Sequence, residues 1–180
     1  MTKRAKQFEF NDPRFKKPGD VFGGSHLKSH PKVKRPLASK LPLHLVLRAN
    51  QSSFRLPTTY KVVNDTVHSI ARKHGVKIFK YSNNGNHLHV LIKLSRIHRW
   101  SPFIRELTSQ IVQTLRELGV TFKVEKLWMG RPFTRIVRGW KKAFKIVKEY
   151  LHLNELEAEG WISRKEIRNL KDLRLLLEDG

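Results

Sequence analysis

VKIFKYSNNGNHLHVLIKL, residues 76–94, reads as two strands and the turn that joins them. The turn is Ser82-Asn83-Asn84-Gly85, and its Asn-Gly pair is a strong hairpin signal because both residues accept positive φ. Residues 76–81 form the strand before it. On the strand after it, 86–94, successive side chains point to opposite faces. Leu88, Val90, Ile92 and Leu94 therefore share one face, which is the core face. His87, His89 and Lys93 share the other.

The neighbouring segments extend this pattern in both directions. Upstream, Leu43, Leu45 and Leu47 alternate with His44, Val46 and Arg48, the period of a half-buried strand. A polar connection over 51–59 leads to residues 60–74. There Val63, Val67, Ile70 and Ala71 recur at helical spacing, and Gly75 follows as a C-cap. Downstream, residues 102–118 predict a second helix closed by Gly119, and 120–128 a fourth strand. The order β-α-β-β-α-β is that of a ferredoxin-like α+β domain with an antiparallel sheet. The first and third strands are then expected as central neighbours. Both helices would cover one sheet face, leaving the other for a ligand or a further element. Residues 134–159 predict that further element, a helix with Val137, Trp140, Phe144, Val147 and Leu151 as apolar positions. Residues 163–178 predict a last, charged helix. No internal repeat is visible.

Residues 1–40 carry no sustained apolar period. They hold Pro13, Pro18, Gly19, Gly23, Gly24, Pro31 and Pro36 among recurring lysines and arginines. They are expected to form a flexible basic arm, either lying along a phosphate backbone or acting as a solvated tail.

Charge narrows the partner. Lys and Arg total 37 against 15 Asp and Glu, a net charge of +22, which draws polyanions and above all nucleic acid. A hydrophobic fraction of 39% is enough to fold rather than stay disordered. With no cysteine, disulfides, thiolate zinc sites and a cysteine nucleophile are excluded. No apolar signal core opens the chain, and no stretch approaches the roughly eighteen apolar residues of a membrane helix. A cytoplasmic location with no membrane partner is expected.

Three groups could carry chemistry. His87 and His89, two apart on one strand face, can hold one metal ion in adjacent positions, or can simply sit on a solvated sheet face. His44 would face the same side if the first and third strands are neighbours. It could bind phosphate, orient a metal site, or be a partly buried strand histidine. Tyr150 and Asn154, four apart on the helix, would project together. A phenol oxygen can attack phosphorus and an amide oxygen can bind a hard cation. Spacing alone is better served by Tyr150 packing beside Ile146 and Val147 while Asn154 caps or faces water.

Taken together, these pieces resemble the single-tyrosine HUH transposases. The likeness is greatest to those associated with repetitive extragenic palindromes and to their insertion-sequence relatives. The matching stretches are residues 42–48 (PLHLVLR), 85–92 (GNHLHVLI), 133–137 (FTRIV), and Tyr150 with 154–158 (NELEA). The resemblance implies His87, His89 and Asn154 as ligands of Mg²⁺ or Mn²⁺ and Tyr150 as the nucleophile. Cleavage of single-stranded DNA beside a hairpin would leave a 5′-phosphotyrosine. His44, Arg48 and Lys93 would be phosphate or DNA contacts. Residues 41–160 would be the catalytic domain and 161–180 a helical extension. Among relatives both homodimers and lone chains occur, so either is open here. His98 and His152 match nothing in the family pattern, and an intact motif set is equally compatible with a domesticated enzyme. Two rivals remain on these residues, a nucleic-acid-binding module without catalysis and a metal nuclease using water.

Overall fold

The computed structural model describes residues 20–24, 34–122, 126–138 and 142–163. Its five strands are β1 (Val21–Phe22), β2 (Leu43–Arg48), β3 (Val76–Asn83), β4 (His87–Leu94) and β5 (Phe133–Ile136). Its three α-helices are α1 (Tyr60–Lys73), α2 (Trp100–Glu117) and α3 (Lys142–Glu159). The strands form one sheet in the order β1-β5-β2-β4-β3, every pair antiparallel. Without the short β1, this is the order of a ferredoxin-like domain, and β2 and β4 are central neighbours as expected.

Alternation in β2 and β4 separates two cores. Leu43, Leu45 and Leu47 pack with Leu88, Val90, Ile92 and Leu94 beneath α1 and α2. From α1 come Val63, Val67, Ile70 and Ala71, and from α2 Phe103, Leu107, Ile111 and Leu115. Each such side chain, fully buried, contributes about 1.5–3 kcal/mol. The opposite face carries a smaller apolar cluster. There Leu91 meets Val137 and, from α3, Ala143, Ile146, Val147, Tyr150 and Leu151. That face is therefore covered by α3, the further element that the open face of the topology called for.

Two expectations are corrected. Residues 120–128 do not supply the fourth strand: their described part makes only one isolated bridge, Trp128 to Ala49. The place beside β2 is taken by β5, of which residues 134–136 had been read as the start of the helix. Val120 and Phe122 instead pack against the main core. The tyrosine helix accordingly begins at Lys142, not at 134.

Within the stretch read as an arm, Val21 and Phe22 pair with Arg135 and Thr134 at the edge of β5. Asp20 holds this edge through two contacts from Arg138, at 2.6 and 2.7 Å. Arg35 donates to the Pro132 carbonyl and the Thr134 hydroxyl, and its guanidinium lies between the Phe22 and Trp100 rings. Burial and the charge of Arg131 push Arg35 down to about 10, so it stays charged. The rest of residues 1–33 and the predicted 163–178 helix, apart from Ser163, lie outside the described residues. Among the described residues no helix is long and apolar enough to cross a membrane.

The β3–β4 turn is fastened to the loop before α1. Ser53 and Phe54 donate their backbone N–H to the Gly85 carbonyl at 3.1 and 2.8 Å. The Asn83 side chain donates to the Phe54 carbonyl and accepts from the Gly85 N–H. Gly85 has φ +83°, and a Cβ there would lie 2.7 Å from Ser52 Oγ. Gly85→Ala should cost about 1–2 kcal/mol from the left-handed backbone alone. Urea unfolding checks this, and a loss under about 0.5 kcal/mol would show that the turn tolerates a side chain.

Candidate active site between the sheet and the covering helix

The period of β4 puts His87 and His89 on the α3 side of the sheet. The antiparallel register sets His89 opposite Val46 and His87 opposite Arg48. The two imidazoles are neighbours, with ring centroids 4.8 Å apart. From α3, Tyr150 comes down edge-on against His89 at 5.8 Å and against His44 at 6.1 Å. The sheet thus brings residues 44, 87 and 89 together, and the helix adds residue 150 of the same chain. Asn154 lies one turn further on and is almost fully buried. The i, i+4 spacing keeps it on the face that Tyr150 presents to the sheet.

His44 is buried, and its Nε2 is 3.1 Å from His89 Nδ1, with the rings stacked. Its pKa is pushed down to about 3, first by burial and then by the charge of Arg135. A neutral ring at that position can share one hydrogen bond with His89 without adding a charge. His87 Nδ1–H donates to Asn86 Oδ1 at 2.5 Å. Both candidate ligands therefore make these bonds through Nδ1. That is how metal-binding imidazoles are commonly oriented, with the second nitrogen as the ligating one. Among the described residues no three His, Cys, Asp or Glu side chains gather into a metal cluster. The donor set on offer is two imidazoles and one amide. Imidazole nitrogen suits first-row transition ions, and an amide oxygen suits Mn²⁺ or Mg²⁺.

The remaining sequence candidates are more peripheral. Arg48 is half-buried at the end of β2 beside His87, and Lys93 is half-buried at the far end of β4. His98 is exposed on the short 3₁₀ turn before α2. His152 stands 3.8 Å from Glu155. Two residues were missed as site members. Asn86 was visible as the neighbour of His87, but its bond to the ring was not. Arg135 became visible only through strand pairing, which sets it opposite His44 across β2 and β5.

The helix bearing Tyr150 is docked on the chain's own sheet. Lys80 reaches Glu155 at 2.5 Å, Arg55 lies 3.9 Å from Glu159, and Phe79 and Phe144 meet edge to face.

The fold is that of a transposase domain. It is similar to the structure of a REP-associated tyrosine transposase bound to a REP hairpin, with a TM-score of 0.57 and 18% identity over 74% of this chain and 76% of that one. A transposase candidate from Deinococcus radiodurans R1 also aligns, with a TM-score of 0.46 and 14% identity over 69% of this chain and 98% of that one. Residues 38–154 match the sequence model of the IS200-like transposases, and the chain belongs to that family. No curated protein matches it.

The buried His44 sets a pH dependence. Unfolded, it takes up a proton near pH 6.5; folded, it resists until about 3. The unfolded chain therefore binds more protons across that window, and stability falls as pH falls through it. The slope from this group approaches about 1.4 kcal/mol per pH unit. Urea midpoints at pH 7, 6 and 5 in chelator should fall more steeply for wild type than for His44→Gln. Equal slopes would show that His44 is not the group responsible.

Proposed function

We propose that this transposase-family chain is a metal-dependent single-stranded DNA endonuclease and strand transferase acting beside hairpins. The observation that carries the reading is the placement of Tyr150 against His89 and His44, on the sheet face that also bears His87. The family match and the similar fold solved on a REP hairpin support a hairpin DNA substrate. The net charge of +22 supports a polyanionic partner.

His87, His89 and Asn154 would hold the ion, Mn²⁺ or Mg²⁺. When bound, it would polarise a phosphoryl oxygen of the scissile phosphate. Asn86 and His44 would fix the two imidazoles through their Nδ1 atoms. Tyr150 Oη would attack phosphorus as the P–O3′ bond breaks. The phenol proton would leave to solvent, and the departing 3′-oxygen would take one up. The product is a 5′-phosphotyrosine and a free 3′-hydroxyl. Because the phosphodiester energy is kept in the new bond, a 3′-hydroxyl can reverse the step and join strands without a nucleotide cofactor. Arg48 and Lys93, half-buried on the same face, would meet the DNA backbone.

The test uses a hairpin with a single-stranded flank, labelled on the 3′ side of the cut, with Mn²⁺ or Mg²⁺ present. Wild type should carry the label on a denaturing gel, and mass spectrometry should place the nucleotide on Tyr150. Tyr150→Phe keeps the ring packing, so it should fold normally and form no adduct. His87→Ala with His89→Ala should abolish cleavage while hairpin affinity stays within about threefold, since affinity rests on many phosphate contacts. A Phe variant that cuts at a similar rate would make water the nucleophile. A wild type that binds hairpins and never cuts would make the protein a binding module.

A further inference from the structure

We propose that Arg135 is a catalytic residue that holds the scissile phosphate beside Tyr150, an inference resting on the tyrosine-nucleophile reading above. Arg135 lies on β5 directly opposite His44, so both side chains rise on the face that α3 covers. Its guanidinium is over the ring of Phe133, 5.7 Å from the centroid. Phe133 pairs with Val46, and Val46 pairs with His89. The arginine side chain therefore runs back along β5 toward the level of His89. The Phe133 ring in turn meets His44 edge-on at 6.3 Å. Guanidinium, phenol and the histidines thus border one small region between sheet and helix.

The electrostatics agree with this placement. Burial lowers the pKa of Arg135, and Tyr150 is the group that opposes the shift. An arginine stays charged through such a change, and a partly dehydrated charge acts more strongly on a neighbour than one in water. Attraction between charges is mutual, so the same guanidinium favours negative charge developing at the Tyr150 oxygen and on the phosphoryl oxygens. Its planar fork can donate two parallel hydrogen bonds to two non-bridging oxygens, which a lysine cannot match. Arg135 takes no part in making or breaking a covalent bond. It holds the charge of the phosphate while Tyr150 Oη forms the new P–O bond and the 3′-oxygen leaves.

Single-turnover adduct formation on the labelled hairpin tests this with Arg135→Gln and Arg135→Lys. The Gln variant should react about 100-fold more slowly or worse, the range for losing one preorganised donor to a transition-state oxyanion. The Lys variant should recover part of the rate. Hairpin affinity should stay within about threefold, because it rests on many other phosphate contacts. The deciding arm replaces one non-bridging oxygen of the scissile phosphate with methyl, which removes its charge. On that substrate the gap between wild type and Arg135→Gln should close. A purely structural Arg135 would slow both substrates equally, and that result would overturn the proposal. So would an Arg135→Gln rate close to wild type on the ordinary linkage. If the Gln variant fails to fold, the Lys variant is compared on the two substrates in the same way. Normal adduct in wild type with no effect of Arg135 removes only this inference. No adduct in wild type on the ordinary linkage removes the tyrosine reading and this inference with it.

Discussion

The strand His87–Leu94 is hydrogen-bonded on both edges and covered on both faces. Its even-numbered residues are the floor of the main core. Of its odd-numbered residues, His87, His89 and Leu91 face α3, and Lys93 follows on the same side at the strand's end. A slip of one residue against β2 or β3 would send four apolar side chains to the wrong side and two imidazoles into hydrocarbon. Each misplaced polar ring would lose its partner as well as its hydration. The packing that stabilises the domain is therefore the same constraint that aims the histidines. The turn at Gly85 and its bonds to Ser53 and Phe54 hold the end of the strand where His87 begins.

The covering helix turns that face into an enclosed, weakly hydrated space. His44, His89, Tyr150 and Asn154 are all buried there. Three carboxylates of α3 are held in ion pairs. Glu149 pairs with Lys145, Glu155 with Lys80, and Glu159 with Arg55. Low hydration there would strengthen the attraction that the proposed Arg135 contact and a bound divalent ion would exert on a phosphate. His44 contributes differently. Held neutral by burial, it is able to fix the ring of His89 without competing for the phosphate.

Most of this was legible where the signal is local. The period of two in 86–94 separated the histidines from the core leucines, and the Asn-Gly pair marked the turn. The spacing of Val63, Val67, Ile70 and Ala71 marked α1, and the four-residue step from Tyr150 to Asn154 placed both on one helix face. The errors fall where pairing between distant segments decides. Phe133–Ile136 is four residues long, too short for a period of two to stand out, and Val137, directly after it, carries the helical spacing of Phe144, Val147 and Leu151 back to its end. Residues 120–128 alternate well enough to be a strand, but the slot beside β2 admits one neighbour, and β5 occupies it. Arg135 was missed for the same reason: its place beside His44 joins positions that only the β2–β5 register brings together.

What keeps Tyr150 over the histidines is chiefly apolar contact. The Lys80–Glu155 and Arg55–Glu159 pairs are partly exposed, and pairs of that kind each contribute about 0–1 kcal/mol. Ile146, Val147 and Leu151 are buried against Leu91 and Val137, and Phe144 packs on Phe79. Burial of such side chains contributes about 1.5–3 kcal/mol each, so it outweighs the ion pairs. The Tyr150 ring belongs to this same cluster, and its position follows from how the helix packs. The ring contacts of Tyr150 with His44 and His89 are made within one chain. Any partner subunit would have to displace a helix already seated on its own sheet before it could supply the tyrosine in trans.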